Sequence, residues 1–428
     1  MRVGIITSHP IQYQAPWFRG LAKEMDLQVF FAHRQSAAEQ GKAGFGVAFD
    51  WDVDLLSGYK HRFLRNVSKR PSVDHFFGCD TPEIRGIIGG RRTGDKSDTS
   101  PNPLPGRGGE GNRARSPGSV DSSRVSSGQR PRRFDAFIVC GWNRKCYWQA
   151  VRACRRKGIP VLVRGDSQLL TPRSRLKTWT KEVLYRWMLR QFDGFLFVGQ
   201  RNREYLRHYG VPEEKLFFAP HFVDNEWFKS KAAEGRGRRA EIRKEWGAGA
   251  KDFVALFVGK FIPKKRPTDL LRAMAVARNQ RSEASGQEAI AVFVGAGDLE
   301  NVLREVAARE ELRVHFVGFK NQSELPAIYA SADVLVLPSD GGETWGLVVN
   351  EAMACGLPAI VSDAIGCAPD LIEEGKTGLT YRVGKHAELA DRLSKMAQMK
   401  QRGHDFLVVL AEKMRAYSVS AAVRGTLN

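Results

Sequence analysis

The sequence of 428 residues predicts an α/β protein of two doubly wound, parallel-sheet domains. Three observations lead there. Short runs of β-branched and aromatic residues alternate with segments at helical period. The runs are apolar along most of their length rather than at alternate positions, as strands buried on both faces by helices must be. The alternation pauses near residue 224 and restarts near residue 250.

Taken in order, "RVGIITS" (2–8) predicts a strand, "APWFRGLAKEM" (15–25) a helix and "LQVFFAH" (27–33) a second strand. Further strands are expected at 134–142, 159–165, 193–199 and 215–223. The same grammar resumes at "DFVALFVGK" (252–260) and continues at 289–297, 313–319, 333–339 and 358–363. The expected division is an N-terminal domain over 1–228, a C-terminal domain over 229–405, and closing helices over 406–428 that pack back on the N-terminal domain. One stretch breaks the pattern. Residues 91–133 hold only Leu104, Ala114, Val120 and Val125 as apolar side chains among dense Gly, Pro, Ser and Arg. Such a composition cannot offset its ordering entropy, so a disordered insertion is expected there.

Lys and Arg number 67 against 47 Asp and Glu, a net charge of +20, which favours anionic partners: phosphates, acidic lipid or nucleic acid. No run of eighteen apolar residues and no basic leader followed by an apolar core is present, so neither a membrane span nor a signal peptide is expected. Cys79, Cys140, Cys146, Cys154, Cys355 and Cys367 form no C-x-x-C pair. They read as reduced thiols of a cytosolic protein, with no metal site.

Chemistry concentrates in "GGETWGLVVNEAMACGLP" (341–358). Thr344 is expected to cap a helix that starts near Trp345 and Gly346 and stops at Gly356 and Pro358. Glu343 then lies in the preceding loop, and Glu351 lies one turn beyond Leu347 on the same face. A helix N-terminus attracts an anion through its free amides, and Gly346 has no side chain to hinder a phosphate. A carboxylate repels phosphate but accepts from hydroxyls, so two acids flanking such a site fit a sugar nucleotide. On spacing alone an equal reading remains, in which Glu343 only favours the helix dipole and Glu351 is a solvated helix residue.

This stretch resembles the Glu, seven residues, Glu motif of retaining glycosyltransferases of family 4, which have the GT-B fold of two facing Rossmann-like domains. "FVGKFIPKKRPTDLLRAM" is similar to the family's strand and loop with two basic residues for the donor diphosphate, here Lys260 and Lys265. "VFVGAGDLE" resembles its Gly-x-Gly segment, and "VHFVGF", with Gly318, its loop beside the nucleotide base. The resemblance implies Glu343 beside the transferred sugar, Glu351 on the ribose hydroxyls, and the Gly346 and Leu347 amides on the pyrophosphate. It implies a nucleotide-diphosphate sugar as donor substrate, no separate cofactor, and a glycan or lipid-linked acceptor; no nucleic-acid partner is expected. Lys260 stands where the family usually has Arg, which loses bidentate contact unless Lys264 or Arg266 compensates.

In the N-terminal half, "SHPIQYQAP" (8–16) sits at the carboxyl end of the first strand, where such folds place ligands, and offers His9 and Gln12 as cleft contacts. "LVRGDSQ" (162–168) ends another strand, and its Asp166 could act as base toward an acceptor hydroxyl or cap a helix. "APHFVDNEWF" (219–228) resembles the family's interdomain segment, and Asp370 stands where relatives carry Glu near the donor. The segment 173–192 mixes Arg173, Arg175, Lys177, Lys181, Arg186 and Arg190 with Trp179, Tyr185 and Trp187, as a solvated helix or as a helix on an anionic membrane surface. The expected function is retaining sugar transfer in surface polysaccharide or glycolipid synthesis. A sugar-nucleotide epimerase and a non-enzymatic binder of polyanions are the alternatives.

Overall fold

The computed structural model describes residues 1–42, 46–90, 133–172, 175–280 and 289–428. The insertion at 91–133 falls outside them except for Arg133, as do the side chains of Arg173, Arg175, Lys177 and Trp179.

Two parallel sheets carry the fold. The first holds β1 (Arg2–Thr7), β2 (Asp26–Phe31), β3 (Lys60–Phe63), β4 (Ala136–Val139), β5 (Val161–Gly165), β6 (Gly194–Phe197) and β7 (Leu216–Phe218) in the order β3-β2-β1-β4-β5-β6-β7. The second holds β8 (Phe253–Val258), β9 (Ala289–Val294), β10 (Val314–Gly318), β11 (Val334–Leu337), β12 (Ala359–Ser362) and β13 (Gly378–Tyr381) in the order β10-β9-β8-β11-β12-β13. Every residue of β8 is buried, as is all of β1 after Arg2, which is the burial that uniformly apolar strands foretell. The edge strands β3, reading KHRF and largely exposed, and β13, reading GLTY, were absent from the expected set because neither is a continuous apolar run.

Strand order reverses between β1 and β4 and again between β8 and β11. The loops leaving the carboxyl ends of those four strands diverge there and open a crevice in each domain. They carry His9 and Gln12, Gly141 to Asn143, Lys260 to Lys265, and Ser339 to Thr344.

The chain crosses between domains earlier than residue 228. Phe228 and Ala232, on the helix Asn225–Arg236, already belong to the C-terminal core. The closing helices divide instead of packing together on the N-terminal domain. Leu407–Ala416 lies on the C-terminal core through Leu410 and Met414. Val419–Leu427 returns to the N-terminal domain, where Ala422 and Val423 pack with Trp17 and Phe18, and Trp17 Nε1 donates to Thr426 Oγ1 at 3.2 Å.

Polar keys hold the domains against each other. Gln168, fully buried, donates through Nε2 to the carbonyls of Glu343 at 2.9 Å and Gly341 at 3.0 Å, with Ala364 O at 3.3 Å. Gly341 is required there, since a Cβ would stand 2.1 Å from Leu170 O. Asp370 accepts from Gln200 N at 3.0 Å and from the Tyr417 hydroxyl at 3.0 Å, so it joins the domains instead of facing a donor as its resemblance implied. Burial pushes its carboxyl up to about 6.

Candidate active site

Each functional side chain stands on a loop that leaves a strand at one of the two reversal points. After β8 the chain turns at Gly259 and forms a short 3-10 turn, Pro263–Lys265, with Arg266 in the left-handed region at φ 51°. Lys265 Nζ meets Glu343 Oε2 at 2.5 Å, with 12% and 13% of their side-chain surfaces exposed. Glu343 therefore holds a lysine rather than merely standing in a helix field. Lys260 lies beside them. Burial, then the charges of Lys265 and Lys264, hold its ammonium below the usual lysine range. Arg266 does not supply the fork that Lys260 lacks, because its guanidinium is committed to Asp269 at 2.7 Å.

The helix after β11 runs Leu347–Ala354, with Gly346 as its N-cap at φ 99°. A Cβ on Gly346 would stand 2.8 Å from Leu337 Cδ2, so both backbone shape and space demand glycine. Thr344 is not the cap. Its hydroxyl donates across the domain boundary to Asp166 Oδ2 at 2.7 Å, while Trp345 is buried with Nε1 on Asn350 Oδ1 at 2.8 Å. The amides that open the helix are thus those following Gly346.

Glu351 is the reverse of a solvated helix residue: it is 1% exposed. The Tyr329 hydroxyl donates to its Oε2 at 2.6 Å, and the Tyr13 hydroxyl, from the N-terminal domain, donates to Oε1 at 2.9 Å. Burial pushes the Glu351 carboxyl up to about 7 against the lowering pull of both tyrosines and of Lys265. Glu351, Tyr13, Gln12, Trp51, Phe319 and Gln322 line a cavity of about 90 Å³. Gly318 ends β10 at φ 79° and does not line this cavity; the next two residues, Phe319 and Lys320, do.

A larger cavity of about 620 Å³ opens on the N-terminal side and is lined by Asn143, Arg164, Asp166, Lys181, Tyr185 and His221, among others. Burial opposes ionisation of Asp166, but His221 and Thr344 outweigh it and hold the carboxyl at about 2. His221 Nε2 stands 3.8 Å from Asp166 Oδ2, and burial lowers its own pKa. A carboxylate so acidic is a weak proton acceptor, so Asp166 suits orientation better than the base role expected of it. His9 lines neither cavity. It meets Ser8 Oγ through Nδ1 at 2.9 Å, and burial with neighbouring His33 and Arg144 brings it down to about 4.

Sequence reasoning did not find Gln168, Tyr329 or the segment around Trp51 as site residues. Tyr13 and His221 stand in segments, 8–16 and 219–228, that the sequence had singled out.

Lys265, Lys260 and the amides after Gly346 converge with two carboxylates at one reversal point. That set can hold a diphosphate between cations and a helix N-terminus while the acids receive hydroxyls. The chain matches the family model described as glycosyl transferases group 1 over residues 238–408, and the glycosyl transferase 4-like domain over residues 48–221. The chain belongs to the group 1 glycosyl transferases. The two matches of this group 1 transferase fall on the two sheets separately.

Among its curated relatives, a D-inositol 3-phosphate glycosyltransferase of Actinosynnema mirum is 31% identical over 198 residues, 44% of this chain and 45% of that protein. The spore coat protein SA of Bacillus subtilis is 34% identical over 153 residues, 34% of this chain and 39% of that one. The aligned region is thus under half the length of either relative. Among solved structures, a glycosyltransferase from Rickettsia africae superposes with TM-score 0.66 at 12% identity, covering 100% of this chain and 96% of that one. Anabaena HepE, solved in complex with UDP and glucose, gives 0.62 at 16% identity, covering 100% and 98%. These likenesses show that the group 1 transferase has the GT-B fold.

Proposed function

We propose that the chain is a retaining glycosyltransferase that moves a sugar from a nucleotide-diphosphate donor to a hydroxyl acceptor. The observation that carries this reading is the convergence of the Lys265–Glu343 pair, 2.5 Å apart, with the Gly346-capped helix that also bears buried Glu351. Lys260, Lys265 and the amides following Gly346 hold the diphosphate and stabilise the charge that grows as it leaves, with no requirement for a metal. Glu343 addresses the transferred sugar, and Glu351 accepts from the ribose.

The anomeric carbon breaks its bond to the diphosphate oxygen and joins the acceptor oxygen on the same face. The acceptor proton passes to the departing phosphate oxygen, which suits a site whose nearest acceptor-side carboxylate, Asp166, is held at about 2. A nucleotide sugar as donor is supported by HepE, a relative in fold that was solved with UDP and glucose.

The cavity of about 620 Å³ beside Asp166 supports transfer over epimerisation, because an epimerase needs no second substrate site. Its cationic lining by Arg164 and Lys181 lies next to exposed Val183, Leu184 and Trp187 on the helix Arg175–Leu189. Those side chains support a glycan acceptor carried on lipid at an anionic membrane surface, as in polysaccharide or glycolipid assembly. No helix of the described residues is long and apolar enough to cross a membrane.

The test is incubation with a panel of nucleotide sugars and a lipid-linked glycan extract, read by mass spectrometry. Growth of an acceptor by one sugar, with the anomeric configuration of the donor kept, supports the reading. Isomerisation of a donor without any acceptor gain overturns it.

A further inference from the structure

The turn that carries Lys265 is held against the preferences of its own residues. Arg266 sits at φ 51° and ψ 43°, a left-handed backbone that residues other than glycine rarely take, and it precedes Pro267, which favours an extended residue before it. Such a conformation persists only where the surroundings over-determine it, and residues of this kind cluster at ligand sites. Backbone bonds tie the turn at both ends. Arg266 N donates to Pro263 O at 3.1 Å, Asp269 N to Arg266 O at 3.0 Å, and Asp340 N to Lys264 O at 2.9 Å. The last of these joins the turn to the loop of Glu343.

The side chain supplies the rest. Arg266 forks onto Asp269, donating through Nε to Oδ2 at 2.7 Å and through Nη2 to Oδ1 at 3.2 Å. Asp269 lies in the first turn of the helix Thr268–Gln280, and its side chain is 2% exposed. His386 Nε2, at the start of the helix His386–Gln401, stands 3.2 Å from the same Oδ1. Gly384 lies against the guanidinium, since a Cβ there would stand 3.2 Å from Nη2. A buried carboxylate gripped from two elements makes a rigid post. The turn fixed to it sets the direction in which Lys265 leaves the backbone, along Gly259 and toward Glu343. Glycine would take this backbone freely but leave the turn loose, whereas arginine takes it with difficulty and pins it.

We propose that Arg266 and Asp269 are positioning residues, whose forked ion pair pins the left-handed turn and so aims the Lys265 ammonium at the donor's diphosphate before the donor arrives. This rests on the reading of a nucleotide-diphosphate donor. Neither residue touches the donor; each acts through Lys265. Charge alone predicts the opposite sign at Asp269. Removing a negative charge near the site should tighten the binding of an anion, whereas loss of the pin should loosen it.

The experiment is calorimetric titration of the full chain with inorganic pyrophosphate at low salt, for wild type, Arg266→Gly, Arg266→Lys and Asp269→Asn, each with and without Lys265→Ala. Melting temperatures measured alongside show that each variant is folded. With Lys265 present, Arg266→Gly and Asp269→Asn should weaken pyrophosphate binding by about 3- to 100-fold, the range for coupled neighbours. Arg266→Lys, which keeps the charge but cannot fork, should fall between wild type and Arg266→Gly. In the Lys265→Ala background the same substitutions should change affinity by less than about 2-fold, because the ammonium that they aim is gone. Unchanged or tighter binding in Asp269→Asn, or losses that persist in full without Lys265, overturns the inference and leaves the donor reading intact. Failure of wild type to bind pyrophosphate overturns both.

Discussion

The Tyr13 hydroxyl of the N-terminal domain donates to Glu351 Oε1 at 2.9 Å, while Tyr329 occupies Oε2 at 2.6 Å, so the carboxylate assigned to ribose is gripped from both domains. Each tyrosine lowers a carboxyl that burial has pushed up to about 7. Donor affinity should therefore fall as pH drops through about 7, because protonation removes the acceptor. In Tyr13→Phe one of those lowering bonds is lost, and the midpoint should move to higher pH. Glu351→Gln should abolish the dependence. Nucleoside diphosphate titrations between pH 5.5 and about 8.5 test it; an unshifted midpoint in Tyr13→Phe would count against the assignment.

The same carboxyl has a signature in stability. Its folded-state pKa is raised from the usual carboxylate range to about 7, so the folded chain holds a proton that the unfolded chain releases. Ionisation then costs stability as pH rises toward about 7, whereas His221, lowered by burial, costs stability as pH falls below the usual histidine value. The difference in melting temperature between wild type and Glu351→Gln isolates the first effect. It should move in favour of the variant as pH is raised from 5 to about 7.

Lys265 and Glu343 form a pair that the donor must share. Removing the ammonium in Lys265→Ala should lower turnover by about 100- to 1000-fold, the scale for losing one preorganised charge at a leaving group. Glu343→Gln should leave diphosphate binding near wild type while turnover falls, since the lysine is freed but the sugar-facing acid is gone. Steady-state kinetics with separate measurement of diphosphate affinity distinguishes the two. Equal loss of affinity and turnover in Glu343→Gln would mean that Glu343 only positions Lys265.

Asp166, held at about 2 by His221 and Thr344, should contribute no ionisation limb to the rate profile above pH 5. Asp166→Asn keeps its shape and removes its charge. The expected change is a raised acceptor KM with the pH profile otherwise superimposable on wild type. Disappearance of a basic-pH requirement in the variant would restore Asp166 as the base.

Gln168 reaches three carbonyls of the opposite domain. Gln168→Ala should cost about 1–3 kcal/mol of domain docking through the carbonyls left unpaired. In small-angle scattering the variant should be more extended than wild type, and nucleoside diphosphate should draw it closed.

The fold was legible in the sequence because parallel strands buried on both faces are apolar throughout, as "FVALFV" in β8 and "AIAVFV" in β9 show. β3 and β13 escaped because KHRF is mostly charged and exposed and GLTY is a four-residue strand broken by Gly and Thr, so neither reads as an apolar run. Glu343, Gly346 and Glu351 could be singled out in the sequence because one short motif sets them on one loop and one helix, and Lys260 and Lys265 because they follow the apolar run of β8 on a second loop. The partners that position them were not. Tyr13 and Glu351 are 338 residues apart, and Gln168 and Glu343 are 175, so no local spacing can show that they touch. Thr344 reads locally as a cap, yet Gly346 takes that position because its left-handed backbone leaves Thr344 free to reach Asp166. The segment around Trp51 is irregular loop, which carries no periodic signal.

The most direct measurement is a structure of the chain with a nucleoside diphosphate bound. The account predicts the two phosphates at the amides that follow Gly346, with the Lys260 and Lys265 ammonium groups on their other side and the ribose on Glu351. Phosphates lodged away from that helix start, or the lysines turned from them toward solvent, would contradict it.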